Sequence, residues 1–313
     1  MTEATIDNAV HIVGMMGAEP LVRALDLGAD VVLAGRSSDS ALFAAYPLWK
    51  GAAAAPAWHM SKTIECGALC AERPPGARTG IWAELEDGAF VVGTTSTEAR
   101  CTPVSVSAHT LYENPSPYEL VEPSGTIDTR DSRYDQMDEF AVRVSGSRFI
   151  HAPQYTVKLE GAERVGYRTV TMAGVDDPIL IAQLDDYLDA AAARTLAGAE
   201  RQGFDRDSIR ISFRRYGSGE PLQSRHPGMA VAVLADVIAP TQQVANAAAN
   251  ILHGLLLHST YEGRLGTGGN MGYPFSPCDI PAGPVYRFSI WHTMALNDPL
   301  APFPITLAEV GRG

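Results

Sequence analysis

The chain has 313 residues, 46% hydrophobic and 19% charged, a balance that supports one or two packed domains and excludes a disordered chain. Its 36 acidic residues outnumber 24 basic ones, for a net charge of −12, so it lacks the basic surplus of a general nucleic-acid binder. No run approaches the ~20 apolar residues that span a bilayer, the first ten residues carry no basic leader, and four cysteines make no disulfide framework. A cytoplasmic protein with reduced thiols is therefore expected, with neither nucleic acid nor membrane as a partner.

In chain order, Ala18 to Leu27 has apolar residues on a helical period, and Gly28 stops it. Asp30-Val31-Val32-Leu33-Ala34 reads as a short strand buried on both faces, and Gly35 to Asp39 turns into a second helix, Ser40 to Trp49. Ser61 to Cys70 is expected to be helical, and Ile81 to Val92 a hairpin turning at Glu86-Asp87-Gly88. Residues 99–135, rich in Pro, Ser and Tyr, read as ordered loops with short strands.

A second segment follows, with strands expected at 140–144, 155–159, 169–172, 209–214, 229–237 and 285–293. Asp177-Pro178 opens a helix to about Ala199, and Thr241 caps another to about His258. The fold class expected is α/β: a partial doubly wound parallel sheet over 1–135, then a smaller ferredoxin-like α+β layer over 136–313.

Three segments could carry chemistry. Gly35-Arg36-Ser37-Ser38-Asp39 lies at a helix start, where free N–H groups favour anions. Arg36 and Ser37 could bind a carboxylate or phosphate there, and Asp39 could act as base or ligand; simple helix capping is the alternative. His59 to Gly67 packs His59, Lys62, Glu65 and Cys66 into nine residues. A carboxylate such as Glu65 in a short apolar helix needs a partner, while Cys66 and Cys70 read as buried small apolar residues rather than metal ligands. Gly266 to Asp279 is glycine-rich: Gly268 and Gly269 could let backbone approach a ligand, and Asn270, Ser276 and Asp279 supply a donor, a hydroxyl and a carboxylate. A structural loop explains that segment equally well. His253 and His258, five apart, make a poor metal pair and read as ordinary helix histidines.

The segments GAEPLVRALDLGADVVLAGRSSDSAL (17–42), IECGA (64–68), YELVEPSGTID (118–128) and LGTGGNMGYPFSPCDIPAGPVYRFSIWH (265–292) resemble the acyclic terpene utilisation AtuA family in order and spacing. The resemblance implies catabolism of branched, carboxylated or acyl-CoA-linked compounds. It also implies an α/β half before residue 30, which a separate subunit would supply, within an oligomer.

These residues suggest a lyase that adds or eliminates water on a small carboxylated or acyl-thioester substrate, because such chemistry needs an anion clamp, a base and an acid but no redox cofactor. Asp39, Glu65, His59 and Asp279 are the catalytic candidates. Arg36, Ser37, Gly268, Gly269, Asn270 and Ser276 are the substrate-binding ones. No redox cofactor is required, and the open alternative is a hard divalent ion with Asp39 and Glu65 as its ligands. The alternatives are a hydrolase with Cys66 or Ser276 as nucleophile, or a non-catalytic subunit of a heteromeric enzyme.

Overall fold

The structure, a computed structural model, describes residues 1–217 and 231–311. It mixes helices with antiparallel sheets and forms two compact units. One comprises Met1–Ile6, His11–Gly161 and Ser289–Gly313, the other Asp7–Val10 and Ala162–Phe288.

The first unit is organised by the helix Ala54–Ile64. All eight residues from Pro56 to Thr63 are buried, so protein surrounds this helix on every side. Met60 and Ile64 join Phe90, Val92, Val142 and Val144, the inward residues of the sheet whose order is Ile81–Glu86, Ala89–Thr94, Ala141–Ser145, Arg133–Gln136. Trp58 joins Leu120 and Ile127 of the three-stranded sheet and stacks on Phe149 with ring centres 5.9 Å apart. Two polar residues of this helix are satisfied within it: Ser61 donates to the carbonyl of Ala57 (2.7 Å) and Thr63 to that of His59 (2.9 Å).

The expected hairpin is present, with Glu86 paired to Ala89 and Gly88 left-handed at φ 70°. Helices Glu19–Asp26 and Asp39–Trp49 match expectation closely. Within the segment 99–135 expected to be mostly loop, Pro103–His109 is a helix, because Thr102 and Ser105 form a reciprocal cap and Pro103 occupies the first turn.

Two expectations for this unit are corrected. Asp30 to Ala34 is not a strand: Val31 is 86% and Leu33 99% exposed, and the local pairing is one parallel bridge between Met16 and Ser37. The apolar run resembled a buried strand in composition, but among the described residues no neighbouring strand pairs with it, and the doubly wound parallel sheet does not form around it. The helix expected over 61–70 instead starts at Ala54 and ends at Ile64. Glu65 is extended there and Cys66 takes a left-handed conformation, φ 45°, before a single 3₁₀ turn, so Lys62 and Cys66 do not share a helical face.

In the second unit the expected element order of strand, helix, strand, strand, helix, strand is observed. The strands are the later part of Tyr155–Val175, then Arg210–Tyr216, Val231–Ala239 and the earlier part of Asp279–Leu296; the helices between them are Leu184–Arg201 and Gln242–His258. Strand 231–239 lies between 155–175 and 210–216, antiparallel to both, and 279–296 pairs with the other edge of 155–175. Residues 229 and 230, where the third strand was expected to begin, lie outside the described residues. Asp177 and Thr241 start their helices as anticipated, accepting from the N–H of Ile179 and Val244, but the helix expected from Asp177 to about Ala199 is split at Gln183 into Pro178–Ala182 and Leu184–Arg201. Leu180, Leu184, Leu188, Leu252 and Leu256 bury against Val233, Ala235 and Val237.

The exposure of Val31 and Leu33 fixes an outcome. Val31→Ser with Leu33→Ser should shift denaturant unfolding by about 0.5 kcal/mol or less, as surface changes do, whereas a buried strand would lose several times that.

Candidate functional site

The buried polar groups of the first unit gather around two carboxylates. Glu65 follows the central helix directly, and its extended backbone turns the carboxylate back onto the elements that flank it. One oxygen is ion-paired to buried Lys62, and the other accepts from Ser40 at 2.9 Å. Glu122 ends the strand Glu119–Glu122, whose alternating exposure turns Leu120 and Glu122 inward. Its carboxylate accepts from Ser38 at 2.6 Å.

Burial pushes Glu122 up to about 7; hydrogen bonds from Ser38 and Ser40 oppose the shift, the charge of Glu65 adds to it and that of Lys62 relieves it. Neighbouring carboxyl groups thus sit in different environments, one held by an ammonium and one buried among hydroxyls.

The surroundings extend this polarity. Ser38 is the N-cap of helix Asp39–Trp49, but its hydroxyl goes to Glu122 and leaves the backbone N–H groups of the first turn without a side-chain cap. His109 Nε2 contacts the carbonyl of Glu65 at 3.1 Å; burial lowers its basicity, the Glu65 carbonyl partly restores it, and Lys62 lowers it further. Tyr155 accepts from the Gly17 N–H at 3.1 Å and donates to Glu19 at 2.8 Å. A cleft of about 1150 Å³, lined in part by Met16, Leu33, Gly35, Phe303 and Leu307, adjoins this region through the Met16–Ser37 bridge.

Of the residues singled out in the sequence, Glu65 lies inside the cluster. Ser37 is buried beside it, and its neighbours bridge to Met16, the Arg36 carbonyl accepting from the Met16 N–H at 3.1 Å and the Ser38 N–H donating to the Met16 carbonyl at 2.8 Å. Asp39 is exposed in the first turn of its helix. Arg36 is half-exposed, with Nε 3.2 Å from Glu160, which also pairs with Lys158 at 2.9 Å. Both oxygens of Glu65 already have partners, one of them cationic, an arrangement poorly suited to holding a divalent ion.

His59 is elsewhere on the same helix. Fully buried, with its ring edge-on to Phe90 and Tyr134, it has no partner for either nitrogen among the described residues, and burial lowers it to about 4. Cys66 is exposed and receives a hydrogen bond from Tyr112 at 3.5 Å.

The remaining expected residues belong to the second unit. Asn270 spends its amide donors on Tyr187 (2.7 Å) and the carbonyl of Ser259 (2.6 Å), pinning the glycine-rich segment to the end of the adjoining helix. Gly268, Gly269 and Ser276 are exposed, and Asp279 faces His253 and Cys278. The residues the sequence reading missed are Glu122, Ser38 and Ser40. Glu122 had a legible signal, since period two in Glu-Leu-Val-Glu sets the second acid on the same face as leucine.

A mixed α/β chain organised around a buried pair of carboxylates is the class these features define. Residues 2–274 match the family model described as acyclic terpene utilisation family protein AtuA, and the chain belongs to that family. Comparison with curated proteins and with solved structures finds no match. Among the described residues no helix is long and apolar enough to cross a membrane.

His59 yields a stability prediction. The unfolded imidazole takes up a proton near 6.5 and the folded one only near 4, so the unfolded chain binds more protons in that window and stability is lost as pH falls through it. Between pH 7.5 and 5 the wild type should lose about 2 kcal/mol through this group. His59→Leu should remove that slope in urea titrations and leave stability at pH 7.5 equal or higher.

Proposed function

We propose that this chain is an enzyme that uses Glu65 and Glu122 as an acid–base pair on a small carboxylated or acyl-thioester substrate, a lyase of the hydratase/dehydratase type. The observation that carries the reading is the split environment of the two carboxyls: Glu65 paired to Lys62, and Glu122 raised to about 7 so that it can hold a proton near neutrality.

In the dehydration direction Glu65 accepts the proton α to the substrate carbonyl, and Glu122 delivers its proton to the departing hydroxyl, which leaves as water. Lys62 and Ser40 position Glu65. The uncapped N–H groups at the start of helix Asp39–Trp49 are suited to the developing enolate oxygen. Arg36, half-exposed, is the group for a substrate carboxylate, and Asp39 stands at the same helix start. We read the second unit as a ferredoxin-like layer, which its strand order supports. For the hydrolase alternative, neither Cys66 nor Ser276 has a histidine base within hydrogen-bond reach among the described residues.

A second reading, that another polypeptide completes this chain, is favoured by the exposed Val31 and Leu33 beside the cleft. It expects a second polypeptide at fixed stoichiometry in native mass spectrometry, lost in the Val31→Ser, Leu33→Ser variant. A chain that is always alone contradicts it.

The catalytic reading is tested by solvent deuterium exchange into short-chain 3-hydroxyacyl- and enoyl-CoA thioesters and their free acids. Wild-type protein should exchange the α-proton of at least one, with kcat/KM falling above about pH 7 as Glu122 loses its proton. Glu65→Gln and Glu122→Gln should each lose ~10²–10⁴-fold. Exchange at the wild-type rate in the double variant, or none with any member of the panel, would sink the proposal.

A further inference from the structure

The second unit carries a cluster that the acid–base chemistry does not use. His253 lies on helix Gln242–His258, while Cys278 and Asp279 stand at the start of strand Asp279–Leu296. Cys278 Sγ is 3.1 Å from His253 Nδ1 and 3.6 Å from Nε2, Asp279 Oδ2 is 3.4 Å from the same Nδ1, and one donor atom from each residue lies within 4.8 Å of the others. We propose that His253, Cys278 and Asp279 form a binding site for a zinc-like transition-metal ion, with three protein donors and one open position.

Geometry and chemistry both support this. A nucleophilic triad sets the thiol on one imidazole nitrogen and the carboxylate on the other. Here the thiol and the carboxylate both lie nearest Nδ1, the thiol within 3.6 Å of Nε2 as well, so the two do not take opposite nitrogens, and a cation among the three would have a donor from each. With Zn–N near 2.0 Å and Zn–S near 2.3 Å, tetrahedral neighbours stand about 3.3 Å apart for N and O and about 3.6 Å for N and S. The observed spacings lie within a few tenths of an ångström to half an ångström of those values.

The donors are also held from behind. Thr171 donates to Oδ1 of Asp279 and leaves Oδ2 for the focus. Tyr273 donates to the His253 carbonyl at 3.2 Å and packs its ring 4.3 Å from the imidazole. The Thr171 hydrogen bond is of the kind that orients a ligating carboxylate. The donor set of nitrogen, sulfur and carboxylate suits zinc or cobalt better than calcium or magnesium. Binding releases the thiol proton to solvent and leaves a neutral centre, since one thiolate and one carboxylate balance a divalent ion.

The test uses the untagged full chain and Co²⁺ as probe. The expected result is one Co²⁺ per chain with a thiolate-to-cobalt charge-transfer band, displaced by Zn²⁺, and about one proton released per ion. Cys278→Ser should abolish the band and His253→Gln weaken binding at least tenfold, while Cys66→Ser, at the exposed thiol of the other unit, keeps both. In wild-type protein Zn²⁺ should protect Cys278 but not Cys66 from iodoacetamide, a readout independent of any variant. No band at millimolar Co²⁺, a band surviving in Cys278→Ser, a band lost in Cys66→Ser, or alkylation of Cys278 indifferent to Zn²⁺ would each overturn the site.

Discussion

A carboxylate taken out of water must either give up its charge or find a cation, because solvation lost on burial far exceeds what packing alone returns. The first unit does both within one cluster. Glu65 keeps company with Lys62, while Glu122, with no ion pair among the described residues, is pushed towards the neutral form. Much of the local architecture follows from keeping these two solutions apart. Ser38 leaves its capping position to reach Glu122, and Ser40 serves Glu65. The central helix breaks after Ile64, where Glu65, the ion-paired carboxylate, is extended and Cys66 takes a left-handed backbone. Such backbone persists in a non-glycine residue only where its surroundings hold it, and it clusters at working sites.

The central helix explains how a lysine can be buried beside the cluster. Its apolar residues split between two cores, Met60 and Ile64 to one sheet and Trp58 to the other. Both cores are then closed, and the polar residues between them must be satisfied inside. Ser61, Thr63 and Lys62 are; His59 is not, and its neutral imidazole serves as an aromatic packing element against Phe90 and Tyr134. A polar residue in a short motif can thus lie one helical turn from a site and take no part in it.

How far the sequence could be read depended on whether the deciding interaction was local. Caps, turns and helical periods are local, so helix Asp39–Trp49, the hairpin at Gly88, the Asp177 and Thr241 caps and the element order of the second unit were all legible. Membership of the AtuA family was carried by four separated motifs and is confirmed over residues 2–274. What depended on distant partners was not legible. Val31 and Leu33 have the composition of a buried strand, but burial needs a neighbour that composition does not supply. Glu65 was identifiable because a carboxylate in an apolar segment demands a partner, yet the partners Ser40 and Lys62, and the second carboxyl at Glu122, come together only through the fold. Asn270 looked like a ligand donor and instead fastens its loop to Tyr187 and Ser259. His253 read as an ordinary helix histidine because Cys278 and Asp279 reach it from a strand some 25 residues away.

An acid–base pair requires that the two buried carboxyls differ, and that difference can be measured without a substrate. Carbon-13 NMR of protein labelled at the glutamate side-chain carboxyl, with the Glu122 signal assigned by its loss in Glu122→Gln, reports this group's protonation directly. The account predicts an inflection near pH 7. An inflection at the ordinary carboxylate value near 4.5 would mean that Glu122 is solvated and charged, and the acid–base pair would have no structural basis.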